Sequence, residues 1–145
     1  MLKTFISTLL LLSFTFYFQP SLADEIPWEK LQALETESSG EVKKSEIPSE
    51  LQEVLGKSVA INGFMLPMDY SAREITEFLL MPYIPACMHV PPPPPNQIIH
   101  VKMQEGKTTP PSFYPVKVRG TLVVQQNEDF ESSYAMTATL VEELK

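Results

Sequence analysis

The chain has 145 residues, of which 11 are basic and 18 acidic, for a formal net charge of −7, with 43% hydrophobic residues and a single cysteine. An acidic surface repels phosphate backbones and anionic headgroups, which excludes nucleic acid as the main partner. One cysteine excludes an internal disulfide, so a single small domain must draw its stability from its core.

The first residues have the pattern of an export signal. Lys3 supplies a positive charge, Phe5 to Phe18 form an apolar run, Pro20 breaks it, and Ser21-Leu22-Ala23 offers small residues at a cleavage site. The run is too short for a transmembrane helix, which needs roughly 20 residues. No cysteine stands at the cleavage site, so we expect no lipid attachment at a new N-terminal cysteine and no lipoprotein. We expect residues 1–23 to be a cleaved signal peptide and Asp24 to begin a periplasmic or secreted protein. No transmembrane span should remain after cleavage; an uncleaved anchor is the alternative.

Residues 24–56 form a helical lead-in and linker. Ile26, Trp28, Leu31 and Leu34 make an apolar stripe at helical spacing, with Pro27 tolerated at a helix start. Glu35 to Ser45 is a solvated linker. A second short helix runs from Glu46 to Leu55, with Ser49 as its expected cap and Gly56 as its stop.

Residues 57–145 change to strand character. Ser58–Leu66 places Val59, Ile61, Gly63 and Met65 on one face, and Thr76–Met81 is a short apolar run. Gln97–Met103 sets Ile99, Val101 and Met103 against Ile98, His100 and Lys102. Tyr114–Val124 and Tyr134–Val141 alternate in the same way. Five strands with one apolar face, short connections and little helix give a mainly β fold, a small five-stranded OB-like barrel preceded by one or two short helices. A small sandwich is the alternative. Gly63 and Gly120 fall mid-strand, where a barrel must bend.

The segment Cys87-Met88-His89-Val90, followed by Pro91 to Pro95 and Asn96-Gln97, carries most of the chemistry. Proline fixes φ near −65° and has no N–H, so residues 91–95 should form a polyproline II rod roughly 15 Å long. In an extended chain, residues i and i+2 share a side, which puts a thiol beside an imidazole. Cys87 and His89 are therefore candidate metal ligands, for zinc or less readily copper(I), with His100 a weak third. Two ligands do not complete a tetrahedral site, and the alternation gives His100 the same face as Lys102, expected to be the solvent face. The competing reading is a buried thiol and a hydrogen-bonded histidine. Met65, Met68, Met81, Met88 and Met103 add thioethers suited to copper(I), though Met65 and Met103 take core positions. A Cys-His pair also serves thiol-dependent enzymes, but there is no C-x-x-C and no serine elbow, so no catalytic residue is assigned. The rod either spaces two parts of the barrel or docks in an aromatic groove of a partner. As a spacer it would pack under Trp28, Tyr83, Phe113 or Tyr114, with Asn96 and Gln97 satisfying backbone groups that the prolines leave unpaired.

Ile26-Pro27-Trp28, Gly63-Phe64-Met65-Leu66-Pro67, Phe78-Leu79-Leu80, the Cys87 to Gln97 segment and Val116-x-Val118-x-Gly120 occur in that order. Together they resemble the bacterial exported family catalogued as domain of unknown function number 3299. The resemblance implies an OB-like barrel in the envelope without assigned catalysis. It also implies neighbours: a lipoprotein-releasing type ABC exporter and a zinc-associated periplasmic protein. Cys87, His89, Asn96 and Gln97 match its motif; His100 is not required by it. The resulting expectation is a non-enzymatic accessory protein of envelope metal homeostasis beside an ABC transporter component. A structural module whose rod docks an envelope protein without metal comes second, and a thiol enzyme third.

Overall fold

A computed structural model describes residues 23–35, 47–85, 90–127 and 131–145. In chain order these form β1 (Asp24–Glu25), α1 (Trp28–Gln32), α2 (Ser49–Gln52), β2 (Ser58–Pro67), β3 (Glu77–Met81), β4 (Ile99–Met103), β5 (Val116–Asn127) and β6 (Ser132–Glu143). A 3₁₀ turn at Pro95–Gln97 precedes β4.

Strands β2 to β6 close into a five-stranded barrel in the order β2-β3-β4-β6-β5, with β5 returning to β2. Within the barrel every pairing is antiparallel except β4 with β6. This is the strand order of an OB-like barrel. Closure depends on β2 serving two neighbours: Ser58 to Gly63 pair with β5, and Phe64 to Pro67 pair with β3. The changeover falls at Gly63, where a Cβ would lie 2.6 Å from the Met81 carbonyl oxygen. At Gly120 the β5–β6 register slips by one residue, and a Cβ would lie 2.8 Å from the Ala138 Cα. Both glycines are thus fixed by backbone approach, as their mid-strand positions indicated.

The core lies inside the barrel and under the helices. Val59, Ile61, Met65, Phe78, Leu80, Ile99, Val101, Val116, Val118, Leu122, Tyr134 and Met136 point inward. Ile26, Leu31, Leu34, Leu51 and Val54 extend the same cluster. Of the methionines, Met65 and Met136 are core, Met103 is half-buried against it, and Met68 is exposed.

Several expectations change in detail. Ser49 is the first residue of α2 and does not cap it; Pro48 occupies the cap position without a side-chain hydrogen bond. Most of the expected linker, Glu35 to Ser45, lies outside the described residues. α2 ends at Gln52, with Glu53 in the C-cap position, rather than running to Leu55; Gly56, with φ of 74° and its N–H donated to Leu122 O at 2.8 Å, closes the turn that follows. β4 starts at Ile99 rather than Gln97, because Gln97 closes the 3₁₀ turn at Pro95–Gln97. β1 was not expected: it runs parallel to β2, pairing Asp24 with Val59 and Glu25 with Ala60.

Candidate metal centre and proline strut

The connection between β3 and β4, residues 82–98, carries the whole cysteine–proline motif. Cys87, Met88 and His89 lie outside the described residues, so the pairing of that thiol with that imidazole stays an expectation. The flanks are described. Tyr83 donates its hydroxyl to the Pro91 carbonyl at 3.3 Å, drawing the two sides of the connection together. Pro93 is buried, while Pro91, Pro92 and Pro94 face solvent. Pro94 is extended (φ −66°, ψ 161°), whereas Pro95 already belongs to the 3₁₀ turn, so the expected rod of residues 91–95 is at least one residue too long. Proline's fixed φ suits both conformations, and ψ decides between them.

Asn96 ties this stretch to the first helix: its Nδ2 donates to Gln32 O at 3.1 Å and to Leu34 O at 3.0 Å, so the backbone groups it satisfies are carbonyls at the end of α1. Two of the prolines' carbonyls are met by backbone: Gln97 N–H donates to Pro94 O at 2.8 Å, and Ile98 N–H to Pro95 O at 3.2 Å. Tyr134, whose hydroxyl donates to Leu31 O at 2.7 Å, completes the cap on α1. Burial raises its phenol pKa well above the ordinary value.

Of the four aromatics expected over the rod, Tyr83 bonds to it through its hydroxyl. Trp28 packs on the main core and donates Nε1 to Asn62 O at 2.7 Å, while Phe113 is 85% and Tyr114 65% exposed. A shallow recess of about 330 Å³ beside Trp28, lined also by Glu25, Ile26, Pro27 and Asn62, is separate from the motif. There Lys117, 2.7 Å from Glu25, holds that carboxyl below its usual range.

His100 differs most from expectation. It does share the outer face of β4 with Lys102, yet it is only 5% exposed. The outer face here is not a solvent face, because Leu79, Met81 and Ile98 form a second apolar cluster on it with Leu66. Across the sheet His100 pairs with Leu79, and Glu77 with Lys102, so Glu77 stands diagonally opposite the imidazole. Glu77 Oε1 contacts His100 Nε2, and Lys102 Nζ lies 3.7 Å from the same oxygen. Glu77 was missed from the sequence, where nothing marks a carboxylate 23 residues away as a partner. Among the described residues no three His, Cys, Asp or Glu side chains are gathered to hold a metal ion.

The family profile described as proteins of unknown function, DUF3299, matches residues 19–143. The chain belongs to the DUF3299 family. It is similar to a crystal structure of a DUF3299 family protein from Pseudomonas aeruginosa PAO1, at 25% identity and a TM-score of 0.58, covering 86% of this chain and 97% of that one. No curated protein matches the chain. The DUF3299 barrel thus has its fold in common with that relative. Among its described residues no helix is long and apolar enough to cross a membrane.

Proposed function

We propose that this DUF3299 protein is an exported, non-enzymatic binding module that holds a zinc or, less readily, a copper(I) ion through Cys87 and His89, with His100 as a third donor. The observation that supports this most is the burial of His100 against Glu77 at the foot of the 82–98 connection. β3 leaves the sheet two residues beyond Leu79, the partner of His100, and β4 enters one residue before it. The connection bearing Cys87 and His89 thus springs from the strands that carry the third donor. Thiolate and neutral imidazole suit both ions, and the i, i+2 spacing lets the two side chains lean onto one ion. A role in envelope metal homeostasis beside an ABC transporter component rests on the family resemblance alone.

The second reading, a rod that docks an envelope protein without metal, has the exposed face of Pro91, Pro92 and Pro94 in its favour. One experiment separates the two. Protein recovered from the periplasm, with Asp24 established as its first residue by sequencing, is kept reduced and untagged and its metal content measured. Close to one ion per chain is expected for the wild type and none for Cys87→Ser. Equal metal content in the two rejects the metal site.

A further inference from the structure

We propose that the end of the barrel bearing Tyr70, Phe113 and Tyr114 seats these rings among the headgroups of a zwitterionic lipid bilayer. Two connections leave that end: residues 68–76 join β2 to β3, and residues 104–115 join β4 to β5. They hold four of the large apolar side chains that face solvent, Phe113 at 85%, Tyr70 at 66%, Tyr114 at 65% and Met68 at 43% exposure. Single apolar residues on a surface are ordinary, but a group of them on adjoining loops marks a contact site. The loops do adjoin: Ile75 and Thr109 exchange backbone hydrogen bonds at 2.9 and 3.0 Å, and Thr108 Oγ1 donates to Glu74 Oε2 at 2.8 Å. The tips are also fixed. Asp69 Oδ1 accepts both the N–H and the hydroxyl of Ser71, at 2.8 and 2.6 Å, closing a turn around Tyr70. Ser112 Oγ accepts the Tyr114 N–H at 3.1 Å and donates to Glu143 Oε2 at 2.8 Å, which does the same for Phe113. Little backbone freedom is left to lose on docking, so even a small contact area can bind.

The charges around the rings choose the occupant. No charged residue stands between Pro110 and Pro115, while a carboxylate sits at the root of each tip, Asp69 beside Tyr70 and Glu143 bonded to Ser112. Aromatic faces and carboxylates both attract ammonium groups, which zwitterionic headgroups present outermost. An anionic bilayer repels a chain of net charge −7. A symmetric pair of these ends in two copies would bring like carboxylates together. The same carboxylates keep the contact at headgroup depth, where Phe and Tyr rings are at home, because charge in hydrocarbon is costly. The 82–98 connection lies at the opposite end of the barrel, so this contact does not depend on a metal there.

The test uses the processed protein recovered as above, with Asp24 its first residue, so that Phe5 to Phe18 cannot themselves partition into lipid. It is sedimented with sucrose-loaded vesicles of phosphatidylcholine and phosphatidylethanolamine and, separately, with vesicles of phosphatidylglycerol. Binding to the zwitterionic vesicles is expected, with little to the anionic ones. Phe113→Ser should weaken it about tenfold, the effect of withdrawing one partly immersed phenyl ring. Tyr70→Ser, on the other loop, should weaken it by a smaller factor. Val123→Thr, which alters an exposed apolar residue on the β5 wall, should leave it unchanged. Circular dichroism checks that each variant is folded. No binding by the wild type, a preference for phosphatidylglycerol, or equal binding by wild type, Phe113→Ser and Tyr70→Ser overturns the proposal. A reversible dimer that Phe113→Ser abolishes, in a wild type that leaves vesicles unbound, also overturns it and assigns the face to a second copy.

Discussion

Asn96→Ala removes the two hydrogen bonds that tie the proline strut to α1, at 3.1 Å to Gln32 O and 3.0 Å to Leu34 O. A neutral hydrogen bond contributes a net 0.5–1.5 kcal/mol, so two give roughly 1–3 kcal/mol. The upper half of that range should not be reached. The Gln32 bond is exposed, letting water replace the lost donor there, and the Asn96 Oδ1 is buried without a recorded partner, so deleting it relieves a cost. We expect a loss of about 1–2 kcal/mol, which for a domain of this size lowers the melting temperature by about 4–8 °C. Thermal melting followed by circular dichroism, with urea titration as a check, measures it. Asn96→Asp sharpens the test. A carboxylate in that place loses both donors and directs negative charge at two carbonyl oxygens, so it should melt below Asn96→Ala. If Asn96→Ala melts within about 1 °C of the wild type, or Asn96→Asp is the more stable of the two, the strut is not held by this side chain.

Gly120→Ala should cost about 3 kcal/mol, the upper range of overpacking, because its Cβ meets the backbone of β6 rather than a movable side chain. Gly106→Ala, with open space around it but φ of 78°, should cost only about 1 kcal/mol, and the reverse order in urea titration would refute the barrel-closure argument. Tyr134→Phe should cost about 0.5–1.5 kcal/mol, since Leu31 O keeps a bond from Leu34 N–H at 3.2 Å. The Tyr134 phenol pKa is raised in the folded state, so its contribution is fully present below the ordinary phenol value of about 10 and is lost as pH rises above it. Urea titrations between about pH 8 and 11 should show a steeper stability loss for wild type than for Tyr134→Phe; equal slopes would contradict the burial.

The inward faces were legible because they obey a simple rule. Val116, Val118 and Leu122 alternate with Lys117, Arg119 and Thr121, and only one side of a barrel wall faces the core. The bend at Gly63 was legible for a related reason, as a residue without a side chain inside an otherwise apolar face. What alternation cannot supply is the identity of whatever lies on the other side of the wall. It placed His100 correctly on the face of Lys102, but the cover comes from Leu79, Met81 and Ile98, whose grouping exists only after the register is set. Asn96 illustrates the same gap: its partners lie 64 and 62 residues away in a helix that the sequence shows only as an apolar stripe. β1 was invisible because two residues carry no period. Pro95 was misplaced because proline fixes φ and leaves ψ to its surroundings. Cys87 and His89, the most conspicuous pair in the sequence, lie where no comparison can be drawn.

Two stretches that look independent in the sequence serve one joint. Ile26 donates its N–H to Ala60 O at 2.8 Å, continuing the parallel ladder of β1; Pro27 has no N–H to offer, and the indole of Trp28 supplies the next donor to β2 at Asn62 O. α1 starts at that tryptophan and ends in carbonyls taken by Tyr134 and Asn96. A helix of five residues has no stability of its own, so these contacts from β2, β6 and the strut create it. The Ile26-Pro27-Trp28 and proline–Asn96 stretches are therefore the two sides of a clamp on one turn of helix, and the strut gains a fixed root on the barrel wall. That root is made entirely of protein contacts. A metal held by the 82–98 connection would add to a frame already closed, so its binding would stabilise the folded chain by mass action instead of being the condition for folding, as it is in a zinc finger.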